Sequence, residues 1–391
     1  MSASDTPAAV DAREIADGVR QLCDRFGEDY WQRVDAEEAY PSEFVTAMTE
    51  AGWLAALIPE EYGGAGLGIT EAALVMEEVN RSGANAGACH AQMYIMGTLL
   101  RHGSDEQKRR WLPQIASGAL RLQAFGVTEP DAGLDTTKIR TRARRDGDRY
   151  VVSGQKIWTS RIEHSDLMLL LARTSDPEPG DKRRWFGLST FLVDIRDVPE
   201  DVLRIVPIAT MLNHHTTEVF IQDLEVPAEN RIGEEGMGFR YILDGMNAER
   251  ILIASECVGD GRWFLERAAR HARERVVFDR PIGQNQGVAF PLARAHSLIE
   301  AAALMTREAA RRYDAREDAA EQANMAKLLA ADASWQAANA CLDTFGGMGF
   351  ARESGVERKF RETRLYQVAP VSTNMLLAFL AQRVLKLPRS Y

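Results

Sequence analysis

The chain has 391 residues, 45% hydrophobic and 27% charged, which is the composition of a soluble globular protein built from two or three packed domains. A formal net charge of −10 argues against nucleic acid as a main partner, because phosphate binding requires a basic face. Four scattered cysteines (Cys23, Cys89, Cys257, Cys341) without pair spacing argue against disulfides and zinc, and point to a reducing, cytoplasmic compartment. The N-terminus lacks the basic and apolar segments of a signal peptide. No stretch approaches the roughly 18 apolar residues of a membrane span.

In chain order, helical spacing covers 11–26 and 42–51, with Ser42 placed to cap the second helix. The glycine-rich run 63–68 has neither the spacing nor the preceding strand of a dinucleotide fingerprint. Further helices are expected over 70–81, 91–101 and 105–117. From about Leu122 the pattern changes: 150–152, 167–172, 186–195 and 218–226 are β-rich runs, and 176–181 is a polar turn. Long helices return at 239–275, 288–312, 319–345 and 372–386. Leu328, Trp335 and Leu342 recur every seventh residue and would form one core stripe. The expected architecture is mostly α with a central β domain: an N-terminal helical domain (1–121), an antiparallel β-barrel-like domain (122–232) and a C-terminal four-helix bundle (233–391).

Two segments of the β region stand out, Phe125-Gly-Val-Thr-Glu-Pro-Asp-Ala-Gly-Leu-Asp135 and Gly154-Gln-Lys-Ile-Trp-Thr-Ser160. Both are rich in turn formers, backbone donors and small hydroxyls, and Gly133 lets backbone N–H groups approach a flat or anionic ligand. Trp158 has no evident core partner. Two more segments follow in the helical region, 273–286 around Arg275 and 344–349 around Gly346-Gly347. Together, and in this order, the four resemble the flavin-binding segments of the acyl-CoA dehydrogenase family, with matches from about Ile58 onward. The domain order is also that of the family.

The resemblance implies FAD as cofactor. Phe125, Val127, Thr128, Gly133, Leu134, Trp158, Thr159 and Ser160 would line its isoalloxazine and ribityl chain. Arg275, Phe278, Gln284, Gln286, Phe345, Gly346 and Gly347 would reach the FAD of a neighbouring subunit, within a homotetramer built as a dimer of dimers. Ser372 and Asn374 would complete the set. The chemistry suits these roles: Arg275 can meet a pyrophosphate bidentately, and Gly346 and Gly347 let the chain pass close to a ligand. An electron-transfer flavoprotein is the oxidant that the resemblance implies.

The family removes an α-proton from an acyl-CoA thioester and passes the β-hydride to flavin, with one carboxylate as base. In many members that Glu follows a Tyr by four residues; here Tyr366 is followed by Pro370, which also lacks the N–H that helps polarise the thioester carbonyl. Other members carry the base on the first bundle helix, before an Arg, which matches Glu249-Arg250. The residues support this separately, because Ile242, Met246, Glu249 and Ile253 fall on one helical stripe, and a Glu on an apolar stripe needs a reason. Glu256 is the reserve candidate. Arg250 and Leu134 would face the substrate, although Leu134 replaces a Ser that usually contacts CoA, and Asp279 replaces a common Gly. Met93, Met96 and Leu99 are candidates for the floor of the acyl pocket. His214 and His215, adjacent on an expected strand, would point to opposite faces and hold no metal; His90 and His102 have no assigned role. Two other readings remain open: a flavin oxidase or monooxygenase using O2 on the same fold, and a non-catalytic helical scaffold.

Overall fold

The computed structural model describes residues 12–177 and 183–389, so Asp11, Lys182 and most of the 176–181 turn lie outside it. The chain begins with α1 (Ala12–Cys23), whose Ile15, Val19 and Leu22 recur at helical spacing and are buried. A short helix that the sequence pattern did not reveal, α2 (Glu28–Ala36), buries only Trp31 and Val34, too few residues to register as a period. Ser42 opens α3 (Ser42–Glu50) as its first helical residue, with Pro41 in the cap position. Next come α4 (Ile69–Arg81), α5 (His90–His102) and α6 (Asp105–Ala116). A reciprocal capping box starts α6: Gln107 N donates to Ser104 Oγ at 3.2 Å, and Ser104 N donates to Gln107 Oε1 at 2.9 Å.

The middle of the chain forms β1 (Leu122–Gly126), β2 (Arg142–Asp146), β3 (Arg149–Ser160), β4 (Leu167–Arg173), β5 (Leu188–Asp194), β6 (Leu203–Pro207), β7 (Thr216–Pro227) and β8 (Arg231–Ile232). They make one sheet in the order β6-β7-β3-β2-β4-β5-β8, with β1 pairing β4. The sheet is mixed, since β1 and β2 both pair with β4 in parallel while its other pairs are antiparallel. Alternate residues of these strands, among them Val152, Leu170, Phe191 and Val219, build a separate β core.

The third part begins with α7 (Gly238–Glu274), 37 residues long. A two-stranded hairpin, β9 (Val276–Val277) and β10 (Arg280–Pro281), leads to α8 (Gln286–Asp314), α9 (Ala320–Phe345), α10 (Val356–Arg364) and α11 (Thr373–Phe379). The bundle packs α7, α8 and α9 together, and α4 and α5 lie against α7. At Gly259 of α7 a Cβ would fall 2.2 Å from the backbone carbonyl oxygen of Glu77, so glycine permits the close approach of α4. The expected fourth helix is shorter, because α11 passes into a single π-type turn over Leu380–Val384. The stripe Leu328-Trp335-Leu342 is not the core stripe: all three are half-buried. The packed faces of α9 are Ala323, Ala326, Ala330, Ala333, Ala337, Ala338 and Cys341, small residues that let several neighbours approach at once. By length and composition alone α8 passes for a membrane span, contrary to the sequence expectation. In the fold it is a bundle helix against α7 and α9.

Candidate active site

The face that α5 turns to α7 carries polar groups. Along the pair, His90 lies beside Glu256, Tyr94 beside Glu249, and Thr98 beside Gly245, an antiparallel match. Glu249 is 4% exposed, on the stripe expected from the sequence. Burial pushes its carboxyl up to about 7, against the lowering influences of nearby His90, Arg250, Tyr94 and Lys327. Glu256 is fully buried and otherwise engaged: Tyr366 Oη donates to its Oε2 at 2.9 Å, and His90 Nδ1 lies 2.9 Å from its Oε1. Asn80 Nδ2 braces Tyr366 Oη from the other side at 3.2 Å. The two carboxylates of α7 thus occupy different environments, one tied into a closed network and one at the edge of it.

Next along α7, Arg250 donates from Nη1 to Asn247 Oδ1 at 2.9 Å, while its Nε is buried without a partner among the described residues. Met93, Met96 and Leu99 are fully buried on α5 in the large core shared with α7. From α9 the sequence reading missed Lys327, which is fully buried. Its Nζ donates to the carbonyls of Tyr366 at 2.5 Å and Val371 at 2.8 Å, clasping the loop that contains Pro370. Burial lowers the Lys327 pKa to about 8. The available signal was a lysine at helical spacing from Ala323, Ala330 and Ala331 within an otherwise uncharged stretch, 322–331.

The two β-region segments come together as expected. Ile157 N donates to Thr128 O at 2.9 Å, joining them through the backbone. A buried ion pair missed in the sequence supports both, since Lys156 Nζ bonds Glu129 Oε1 at 2.8 Å and Val127 O at 3.1 Å. A bulge in the β3–β7 pairing, with Trp158 at φ +62°, turns that indole outward, 56% exposed. Phe125, Val127, Thr128 and Ser160 are half-buried beside it, and Gly133 and Leu134 are exposed on the rim. Thr159 differs: its side chain is fully buried, and its carbonyl accepts from Thr217 Oγ1 at 2.7 Å, so it offers backbone only. Ser160 Oγ already shares a 3.0 Å hydrogen bond with Thr216 Oγ1. Phe125 connects this surface to the carboxylates, for its ring meets Tyr94 edge to face with centroids 5.7 Å apart.

The expected cofactor residues of 275–286 and 345–347 form a second cluster at the far end of α7. Arg275 is its C-cap, and Phe278, 90% exposed, sits at the tip of the β9–β10 hairpin. Gln284 and Gln286 are exposed nearby, and the Phe345 ring stacks on His271 with centroids 4.2 Å apart. Gly346 has φ +56° and ψ −133°, a conformation open to glycine, and no atom lies within 4 Å of where a Cβ would stand at Gly346, Gly347 or Gly133. Ser372 and Asn374 are not part of it: Ser372 caps α11 half-buried next to the Val371 carbonyl that Lys327 holds, and Asn374 is exposed. Glu249 and Arg275 are 26 residues apart on one helix, roughly 39 Å at about 1.5 Å per residue. The two clusters therefore serve different places in space.

The histidine pair is not on a strand. His214 and His215 precede β7 in a loop, where His214 Nδ1 lies 3.0 Å from buried Arg161 Nη2 and His215 meets Tyr40 edge-on. Burial holds His214 well below the usual histidine range. Among the described residues no group of His, Cys, Asp and Glu could hold a metal ion, and the four cysteines are free and buried.

An open glycine-lined surface, an outward indole and a joined pair of turn segments suit a flat, phosphorylated cofactor such as FAD. Comparison with known proteins agrees. Residues 10–119, 124–224 and 236–385 match the N-terminal, middle and C-terminal domains of acyl-CoA dehydrogenase. The chain is 38% identical to acyl-CoA dehydrogenase FadE12 of Mycobacterium tuberculosis over 369 residues, 94% of each chain. It is 34% identical to cyclohex-1-ene-1-carbonyl-CoA dehydrogenase of Syntrophus aciditrophicus, covering 91% of this chain and 85% of that one. The solved glutaryl-CoA complex of glutaryl-coenzyme A dehydrogenase superposes with a TM-score of 0.90 at 27% identity, over 99% and 98% of the two chains. From its sequence, its three-part fold and these matches, the chain belongs to the acyl-CoA dehydrogenase family, FAD-dependent oxidoreductases that act on CH–CH bonds.

Proposed function

We propose that the protein desaturates an acyl-CoA thioester between Cα and Cβ, with Glu249 as the base. FAD, when bound, supplies the hydride acceptor. Glu249 takes the α-proton onto its carboxyl, which burial has already biased toward the protonated form near neutral pH. Phe125, Trp158 and the 127–134 turn would hold the flavin, and α7 carries the base. Arg250 supplies a buried, unpaired Nε for a substrate oxygen. The observation that carries the assignment is a buried carboxyl raised to about 7 on the face of α7 that meets α5, where Tyr94 packs on Phe125.

Glu249→Gln keeps shape and removes the proton acceptor, so FAD content should survive while anaerobic flavin reduction slows by about 10²–10⁴-fold. The wild-type reduction rate should rise with pH through about 7, as Glu249 deprotonates. Stopped-flow reduction decides: a near-wild-type rate in the Gln variant eliminates Glu249. An anaerobic screen of acyl-CoAs for bleaching of the flavin identifies the substrate.

The proposed oxidant is an electron-transfer flavoprotein. Rapid reoxidation of the reduced enzyme by air would favour the oxidase reading instead. The proposed assembly is a homotetramer, because Arg275 and the Gly346 turn stand too far along α7 from Glu249 to share its flavin. They would reach that of another subunit. The buried free thiols support a reducing, cytoplasmic location.

A further inference from the structure

A buried cation calls for a counter-charge, and one arginine of this fold is given none by the chain. Arg161 directly follows Trp158-Thr159-Ser160 and is 4% exposed. Its backbone is held in the left-handed region at φ +60°, where its N–H donates to the carbonyl of His215 at 2.7 Å. No carboxylate among the described residues lies within ion-pair distance of the guanidinium. Its Nη2 donates to His214 Nδ1 at 3.0 Å, and burial, then Arg161 itself, keeps that ring neutral.

The guanidinium is lodged at the head of α5. A Cβ at position 87 would stand 2.8 Å from Nη2, so Gly87 leaves it room. The surroundings are polar: Gln123, 1% exposed, donates to the Ala88 carbonyl at 2.8 Å and accepts from Tyr40 Oη at 3.0 Å. A cavity of about 20 Å³, room for one water-sized group, borders Arg161, Tyr40, Asn85 and Ala88. The two acids on its wall are already held, Asp35 by Arg361 at 2.6 Å and Glu362 by Arg358 at 2.8 Å. From Gly87 the chain continues through His90 to Tyr94, their rings 5.8 Å apart, toward the Glu249 end of the α5–α7 face. Seven residues separate Gly87 from Tyr94, roughly 10 Å at about 1.5 Å per residue.

We infer that Arg161 determines specificity by receiving the far end of the acyl group, and that this end is a carboxylate: the substrate is a short ω-carboxyacyl thioester. The inference rests on the acyl site at Glu249 proposed above. With its Cα at Glu249, a chain bridging roughly 10 Å brings its terminal carboxylate to the guanidinium, whose fork can bind it bidentately. That carboxylate is the counter-charge Arg161 lacks. Gln123, Tyr40 and His90 give the site polar walls, which an apolar tail would desolvate without a hydrogen bond in return. Glu256 does not fill the role, because His90 and Tyr366 already engage its two oxygens.

Glutaryl-CoA and valeryl-CoA have acyl chains of equal length and differ at the tip, a carboxylate against a methyl group. Each is titrated anaerobically into the FAD-loaded protein, reading the shift of the flavin spectrum on binding in Glu249→Gln and the rate of flavin reduction in the wild type. Glutaryl-CoA should bind at least about tenfold tighter than valeryl-CoA, the scale of a hydrogen bond to a charged group. Adding Arg161→Met should weaken glutaryl-CoA by about 10–100-fold and leave valeryl-CoA within about threefold. Arg161→Lys, which keeps the charge without the fork, should fall between, and FAD content should be unchanged in both. Equal or weaker binding of glutaryl-CoA by the protein with Arg161 intact overturns the inference, whether or not the variants fold. An equal loss of both ligands in Arg161→Met also overturns it, since the arginine would then only support the fold. If glutaryl-CoA binds through Arg161 yet bleaches no flavin in the wild type, it is the desaturation reading that has failed.

Discussion

At the scale of single residues, Glu249 carries a cost that its position explains. A carboxyl whose folded pKa is raised from 4.5 to about 7 is protonated in both states below 4.5, and there it leaves stability unaffected. As pH rises through that interval, the unfolded chain ionises first and the folded state is progressively destabilised. Above about 7 the loss is complete, on the order of 3 kcal/mol. Glu249→Gln should therefore stabilise the protein at pH 8, and the gain should shrink as pH falls toward 5. Denaturant midpoints of the two proteins at both pH values measure it. No gain at pH 8 would mean that the buried charge is better compensated than its surroundings indicate. A stability gain joined to lost turnover is the pattern expected of a site residue.

At the scale of elements, α9 shows how a helix is read wrongly by period alone. Its seventh-residue Leu328, Trp335 and Leu342 look like a core stripe, yet they sit at the margins, where Trp335 packs on Phe360 of α10 with centroids 4.6 Å apart. A helix enclosed by α7, α8 and α10 has more than one packed face, and alanines fill them because neighbouring backbones come close. Within that apolar wall Lys327 clasps the carbonyls of Tyr366 and Val371, tying α9 to the loop before α11. Lys327→Met would leave both carbonyls without their donor. A loss of about 2–4 kcal/mol is expected, together with faster proteolysis of the 366–372 loop. Chemical unfolding with and without FAD checks it; a change under 1 kcal/mol would show that water replaces the ammonium there.

At the scale of the whole molecule, the length of α7 separates the carboxylate end from the Arg275 end. Exposed apolar side chains gather on the bundle, including Phe278, Phe290, Leu304 and Phe350. If Arg275 meets the pyrophosphate of a neighbour's FAD, Arg275→Ala should weaken FAD by about 1.5–3 kcal/mol, the scale of a charge-assisted hydrogen bond. Titration of the apoprotein with FAD, with size measured by sedimentation, tests this. A stable monomer retaining stoichiometric FAD would sink the shared-site arrangement.

Much of this was legible along the chain. Helical spacing in the outer thirds and β-rich runs between them announce the three-part fold, because period and turn chemistry are local properties. The stripe Ile242-Met246-Glu249-Ile253 marked an unusual carboxylate for the same reason. What local pattern does not contain is the partner of a buried group. Glu249 and Glu256 are both acids on α7, and only the approach of α5 and of the 365–367 turn sets Tyr94 near one and gives the other a histidine and Tyr366. Lys156, Lys327 and the outward turn of Trp158 depend in the same way on neighbours distant in sequence. The sequence by itself determined which elements form and which residue types they present. The tertiary structure decided which of those residues is buried beside which, and a charge buried in a low-dielectric interior takes its behaviour from those neighbours.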